Sequence, residues 1–263
     1  MAQQAGRKEK KRVFSVLTER FAVLFWFLVV AIAMPVVFPD GPLIRTVMAI
    51  TLFVLMLSGL HAISERRHQL IIGLCLSVPA VVLNLVGLAT ADLTLYTLSQ
   101  YVYLAFFIYL AYHMLRWTLR QQEVDVETIY GAVSVYLLMA LIWGIAYYSI
   151  ALTSPGSFRF PEEDELGEVQ AERAAALESG EALPPIPEWR TLANSAGGTM
   201  MYYSFVTLTT LGYGDIYPTR DLTRVLAMLE ATLGQLYLVI LVARLVGLYT
   251  AQEMERRRKA TPT

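Results

Sequence analysis

The chain has 263 residues, 56% of them hydrophobic and 16% charged, with a mean hydropathy of +0.50. The apolar residues gather in long uncharged blocks, which excludes an ordinary soluble domain and points to an integral membrane protein. A net charge of −1 gives no footprint for nucleic acid, and a single cysteine, Cys75, excludes an intrachain disulfide.

Six stretches approach the ~20 residues that a helix needs to cross ~30 Å of hydrocarbon. The first, 21–38, follows a basic start and closes at the turn Pro39-Asp40-Gly41-Pro42. A cleaved signal peptide is the alternative for this start. The run has no small-residue cleavage pattern and five more spans follow it, so a retained helix is expected. The second, 46–63, runs into Ser64-Glu65-Arg66-Arg67-His68, and the third, 70–91, carries Pro79 and Asn84. The fourth, 93–115, is rich in aromatics and ends at Arg116 and Arg120. The fifth is 129–152 and the sixth 225–249.

The basic residues orient these spans. Of 21 Lys and Arg, six lie in 1–20, two in the 64–69 loop, two at 116–120 and four in 256–259, all on one side of six spans. Arg45, Arg159, Arg173, Arg190, Arg220 and Arg224 fall on the other side, most of them in a long loop that counts little. Both termini are therefore expected in the cytoplasm of a cell-membrane protein, with 153–224 outside.

Residues 153–198 hold nine acids (Glu162, Glu163, Asp164, Glu165, Glu168, Glu172, Glu178, Glu181 and Glu188) against three arginines. Leu166, Val169, Arg173 and Leu177 at spacings of three and four predict a short helix over 162–179. Pro184-Pro185-Ile186-Pro187 stiffens the return path, and Trp189 suits the interface. A solvated turret is expected for most of this length, with modest cation steering as a by-product.

Between the last two spans lies Tyr202 to Pro218, YYSFVTLTTLGYGDIYP. A dehydrated cation in a membrane needs a cage of oxygens, and backbone carbonyls supply it without fixed charge. To aim successive carbonyls at one axis, a strand alternates ordinary and left-handed conformations, which Gly212 and Gly214 enter at no steric cost. Thr209-Thr210-Leu211-Gly212-Tyr213-Gly214-Asp215 resembles the selectivity filter of potassium channels, of bacterial type with a six-helix subunit. The resemblance extends more weakly over roughly 126–250. It implies that the carbonyls of Thr210, Leu211, Gly212 and Tyr213, with the Thr210 hydroxyl, line the K⁺ sites. It also implies that Gly214 completes the filter, that Tyr213 points outward into an aromatic cuff, and that Asp215 sits at the outer mouth. Residues 199–209 fit the re-entrant pore helix, whose negative C-terminal end favours a cation. A plain glycine turn between two helices is the alternative, but it explains neither the preceding helical run nor the outward orientation.

Two positions depart from that pattern. Leu211 stands where valine is commoner, and Val206 stands where some bacterial channels carry a glutamate that pairs with the filter aspartate. Asp215 is therefore expected to find its partner in Tyr203. Tyr202, Tyr203, Val206, Thr209 and Asp215 are the expected supports of the filter.

On the sixth span, Gly234 lies at the spacing typical of the inner-helix hinge in these channels. A packing glycine is the equal alternative. If Gln235 faces the cavity, Leu238, Val242 and Leu245 or Val246 share its stripe at 100° per residue, and Arg244 falls opposite, near the face of Glu230. Both charges then point away from the ion path. Glu230 is expected to brace the pore helix. Arg244 is expected either to pair with Glu123, Asp125 or Glu127, or to reach the interface.

The four preceding spans occupy the place of a voltage sensor, yet 93–115 contains no Lys or Arg, and steep gating needs several charges at ~2.3 kcal/mol each per 100 mV. The sensor is therefore expected to be absent. His61, His68 and His113 lie near inner ends of spans and are expected to be interfacial rather than pH-sensing. With about a dozen residues past the sixth span, no nucleotide- or calcium-binding gating domain is expected. The basic tail, with Arg7 to Arg12, is expected to contact anionic lipid.

The expected fold is an all-α membrane protein with six transmembrane helices and a re-entrant pore helix and filter between helices 5 and 6. It divides into a basic cytoplasmic start (1–20), a four-helix domain (21–118), a linker and outer pore helix (119–152), an acidic extracellular turret (153–198), pore helix and filter (199–218), an inner helix (219–250) and a basic cytoplasmic tail (251–263). The expected function is passive potassium conduction by a homotetramer, with K⁺ as permeant ion, no cofactor and no enzymatic activity. The alternatives are a non-conducting scaffold or sensor subunit and a weakly selective cation channel. A secondary transporter would need broken helices and repeat symmetry, and a membrane enzyme would need reactive groups that the spans lack.

Overall fold

A computed structural model describes residues 20–37, 42–62, 67–90, 92–154, 156–160, 172, 175–180 and 189–260. At 20, 34–37, 42–50, 189–196 and 259–260 it describes the backbone alone. The basic segment Arg7–Arg12, the acids from Glu162 to Glu168, Glu181, Glu188, the Pro184–Pro187 run and the side chain of Trp189 lie outside the described residues.

Among the described residues, the main elements follow one another as α1 Arg20–Val37, α2 Pro42–Ala62, α3 Arg67–Thr90, α4 Leu93–Thr118, α5 Val126–Thr153, β1 Phe158–Arg159, α6 Trp189–Leu208, β2 Tyr217–Pro218 and α7 Asp221–Ala260. By length and composition, α3, α4, α5 and α7 can each cross a membrane. The apolar runs described in α1 and α2 are shorter, Phe21–Ala33 and Thr51–Ala62.

Local chemistry fixes where the long helices begin. Asp92 caps α4 by accepting from the Thr94 and Leu95 amides at 2.8 and 3.2 Å. Asp125 caps α5 in the same way, accepting from the amide and the hydroxyl of Thr128 at 2.7 and 2.6 Å. Between α3 and α4, Asn84 donates to the hydroxyl of Ser99 at 3.4 Å, a polar contact that holds two apolar helices in register.

Helix α1 packs on α2 and α5, α3 packs on α4, and α4 packs on α5. One buried cluster joins these elements through Leu24, Leu28, Leu55, Phe106, Leu110 and Leu138. Helix α6 then packs on α5 and α7. Gly144 of α5 permits the close approach: a Cβ there would lie 3.2 Å from the Cα of Met201. A second cluster, mostly aromatic, gathers Tyr147, Tyr148, Phe158, Phe160 and Ile216 around Met200 and Tyr203 in the C-terminal half of α6.

Three boundaries differ from the sequence-based expectation. Helix α6 begins at Trp189 rather than 199, because it runs through Gly197-Gly198, where two residues of poor helix propensity suggest a break. Helix α7 continues to Ala260, so most of the segment 251–263 extends the inner helix. Arg257 and Glu253 pair along this extension at 3.2 Å, four residues apart. Finally, the start of the 153–198 segment is not a solvated turret. Strand β1 pairs antiparallel with β2, Phe158 opposite Pro218 and Arg159 opposite Tyr217, and Phe158 and Phe160 are buried. Within the helix expected over 162–179, the described part is helical at 175–179, with Leu177 exposed rather than on a packed stripe.

Candidate functional site

Helix α6 ends at Leu208, and the chain then turns sharply. The amides of Leu211 and Gly212 both donate to the carbonyl of Val206, at 2.9 and 3.3 Å, while the Thr210 amide donates to the Thr207 carbonyl at 3.0 Å. The Thr209 hydroxyl folds back on the Phe205 carbonyl at 2.6 Å. Val206 thus supports the segment through its carbonyl, one of the last of the helix, which accepts from two amides of the following turn.

From this turn the backbone alternates. Thr210, Gly212 and Gly214 have φ of 59°, 57° and 80°, while Leu211 and Tyr213 are outside the positive-φ set. The two glycines stand where the motif requires left-handed backbone. A Cβ on either would meet nothing within 4 Å, so conformation and not space demands glycine. Thr210 adopts the same conformation without that freedom, at a cost on the order of 1–2 kcal/mol. Such strain concentrates at functional segments. Sequence reasoning did not assign it to Thr210, because threonine carries no local signal for positive φ.

The outer end of the segment is anchored on both sides. Asp215 accepts from the Tyr202 hydroxyl at 2.7 Å through Oδ2, and from the Ile216 amide at 3.0 Å through Oδ1. Tyr203 is therefore not its partner, contrary to the sequence-based expectation. Successive helix residues diverge by 100°, and Tyr203 turns into the aromatic cluster, with its ring 5.1 Å from Tyr147 and 5.4 Å from Phe158. A double-mutant cycle between Tyr202→Phe and Asp215→Asn, read from denaturant unfolding, is expected to give a coupling of about 1.5–3 kcal/mol. The same cycle with Tyr203→Phe is expected to be additive, and coupling there with none at Tyr202 would reverse the assignment. Beyond Asp215, the Thr219 amide and hydroxyl bind the carbonyls of Ser157 and Gly156, and the Thr223 hydroxyl reaches the Ser157 carbonyl at 3.0 Å. Tyr213 is 68% exposed and lies outside this chain's aromatic cluster.

Helix α7 backs the segment from the inner side. Gln235 donates to the Thr210 hydroxyl at 3.3 Å. Gly234 lies against the end of α6, where a Cβ would come within 2.7 Å of Leu208 Cδ1 and 2.8 Å of the Leu208 carbonyl oxygen. The packing alternative for Gly234 thus has a direct physical cause. Tyr136 donates to the same Leu208 carbonyl at 3.3 Å and stacks on Tyr237, whose hydroxyl reaches the Ala132 carbonyl at 2.6 Å. Glu230 is fully buried and is bonded to Tyr147 and Ser204, so it braces α6 as expected.

Of the two outcomes expected for Arg244, pairing with a carboxylate is not the one found. Its guanidinium donates to two backbone carbonyls, those of Leu119 and of Gln121, the latter at 2.8 Å, in place of the expected carboxylate. The carbonyls at the end of α4 are open acceptors, so a cation there satisfies them. Asp125 is already engaged as the cap of α5. His113 accepts through Nδ1 from the side-chain amide of Gln69 at 3.2 Å and contacts the rings of Tyr109 and Tyr112. Among the described residues, no group of three His, Cys, Asp or Glu could hold a metal ion.

Sequence reasoning missed Ser204, Tyr147, Tyr136, Tyr237 and Thr223. A hydroxyl on an otherwise apolar membrane helix is the signal they share, but it does not reveal the partner.

Residues 189–251 match the family model described as Ion channel, a segment that runs from the start of α6 through most of α7. No curated protein and no solved structure matches the chain. The match supports ion-channel activity, and with the long apolar helices it supports an integral membrane protein.

Proposed function

We propose that four copies of this chain surround one axis and conduct potassium passively, with 209–215 as the selectivity filter. The observation that carries this reading is the alternation of positive φ at Thr210, Gly212 and Gly214. That alternation turns successive carbonyls of one strand toward one side, and a ring of such strands replaces the hydration shell of a cation without fixed charge. The carbonyls of Thr210, Leu211, Gly212 and Tyr213, with the Thr210 hydroxyl, are the ion ligands. One strand cannot enclose an ion, so the cage needs neighbouring copies. In keeping with this, Leu211 and Tyr213 are exposed in the single chain, as are Leu229, Leu233, Leu236, Val239 and Ile240 on α7. The aromatic cuff around Tyr213 would come from a neighbour.

All six helices α1–α5 and α7 span the membrane in this reading. Both termini are cytoplasmic and 153–198 is extracellular, as the basic residues indicate. Helix α6 is re-entrant, and its C-terminal end directs partial negative charge toward the cavity side of the filter. Basic residues near the inner ends of α1 and α7 contact anionic lipid. Helix α4 holds no lysine and one arginine, Arg116, in its last turn. The unit α1–α4 therefore lacks the charges of a voltage sensor, and opening is not steeply voltage-dependent.

Purified protein in potassium-loaded liposomes tests the reading. Rubidium tracer is expected to accumulate against the outward potassium gradient while sodium tracer does not. Equal sodium and rubidium uptake would reject selectivity, and no uptake of either would favour a scaffold or sensor subunit.

A further inference from the structure

Glu230 lies in α7, is 0% exposed within a single chain, and meets two hydroxyls rather than a cation. Tyr147 of α5 donates to its Oε2 at 2.7 Å. The hydroxyl of Ser204 in α6 lies 2.5 Å from its Oε1 and 2.8 Å from the carbonyl oxygen of Ala140 in α5. The other titratable groups that sense Glu230 are Tyr136 of α5 and Tyr203 of α6, again uncharged phenols. A carboxylate so placed would be a buried charge without a counter-ion, among the most costly states a protein interior can hold.

The protons can be counted. A serine hydroxyl carries one proton and two lone pairs. Ser204 has two oxygen neighbours at hydrogen-bond distance, and the carbonyl of Ala140 can only accept. If Glu230 is ionised it too can only accept, and one proton must serve both contacts. One of the two would then set lone pair against lone pair in a buried site. If Glu230 carries its proton on Oε1, every contact is satisfied: Glu230 donates to Ser204, Ser204 donates to Ala140, and Tyr147 donates to Oε2.

We infer that Glu230 is held as a neutral carboxylic acid, and that its proton closes a relay linking α7, α6 and α5 which positions the filter. It is a positioning residue, since its contacts are with Tyr147 and Ser204 and not with residues 209–215. Ser204 lies six residues before Thr210, and Tyr147 packs against Tyr203 beside the Tyr202–Asp215 contact. The relay therefore fixes α6 about its own axis between the helix outside it and the helix inside it. The selectivity arm of the test rests on 209–215 being the filter, and the other arms do not.

The test uses the full chain in liposomes at neutral pH. Glutamine has the inventory of a protonated glutamic acid here, with an amide to donate to Ser204 and a carbonyl to accept from Tyr147. Glu230→Gln is therefore expected to keep the melting temperature and the rubidium-over-sodium uptake ratio of the parent within twofold. Ser204→Ala and Glu230→Ala are expected to lower the melting temperature and to reduce that ratio several-fold. Infrared difference spectra between the parent and Glu230→Gln are expected to contain a carboxylic-acid C=O band that the variant lacks. A carboxylate band in its place, or a Glu230→Gln protein as impaired as Glu230→Ala, would overturn the proposal. If Glu230→Ala fails to fold, the infrared band and the Glu230→Gln and Ser204→Ala melting points decide it. If the parent itself proves unselective, the filter reading fails while those three measurements still test the proton.

Discussion

Gly212→Ala is expected to lower the potassium-over-sodium flux ratio by at least about tenfold, the factor set by ~1.4 kcal/mol. The glycine has φ of 57°, and a Cβ added to it would meet nothing within 4 Å. Crowding within the chain therefore contributes nothing, and the whole cost lies in the backbone. An L-residue in this conformation costs on the order of 1–2 kcal/mol, and a ring of four multiplies it to ~4–8 kcal/mol. The backbone can escape that cost by leaving the left-handed region, which rotates a carbonyl away from the axis. Gly197→Ala is the control. Gly197 lies in α6 outside the positive-φ set and also has open space around it, so alanine there is expected to gain ~1 kcal/mol of helix stability without touching selectivity. Liposome tracer flux on both variants measures the contrast. An unchanged flux ratio in Gly212→Ala would detach selectivity from this backbone.

Gly234→Ala is expected to lower the melting temperature, and here the cause is contact rather than conformation. A Cβ would sit 2.7 Å from Leu208 Cδ1 and 2.8 Å from the Leu208 carbonyl oxygen. The side chain can rotate away, but the carbonyl belongs to the last residue of α6 and accepts from Tyr136. Overpacking of this kind costs about 1–3 kcal/mol, against a gain of ~1 kcal/mol from replacing glycine inside a helix. The net loss falls where α7 supports α6, so reduced flux is expected alongside reduced stability. A hinge that needs only backbone freedom gives the opposite sign, because alanine would stiffen and stabilise α7. A raised melting temperature in Gly234→Ala would favour the hinge. Leu208→Ala in the same protein is expected to relieve little, since the carbonyl remains.

Much of the helical framework is legible in the amino-acid sequence itself. Long apolar runs mark helices because a membrane leaves backbone groups no other solvent, and each expected span overlaps one helix, four of them long and apolar enough among the described residues to cross a membrane. The glycines of the motif announce left-handed backbone, and Gly212 and Gly214 have it. What stays hidden in the sequence is relational. Two adjacent tyrosines look alike there, and only the rotation of α6 decides that Tyr202 meets Asp215 while Tyr203 enters the aromatic cluster. Candidate carboxylate partners for Arg244 are visible in sequence because they are charged, whereas the carbonyls of Leu119 and Gln121 are not. The early start of α6 is hidden because Gly197-Gly198 argues locally against a helix there. The strand at Phe158–Arg159 is masked by the acids that follow it.

A reversal potential under bi-ionic conditions tests the central claim most directly. Purified protein in a planar bilayer would face potassium on one side and sodium on the other at equal concentration. If 209–215 is a potassium filter, current vanishes far from zero, at a potential that holds potassium back on its own side. A reversal potential at zero would contradict it.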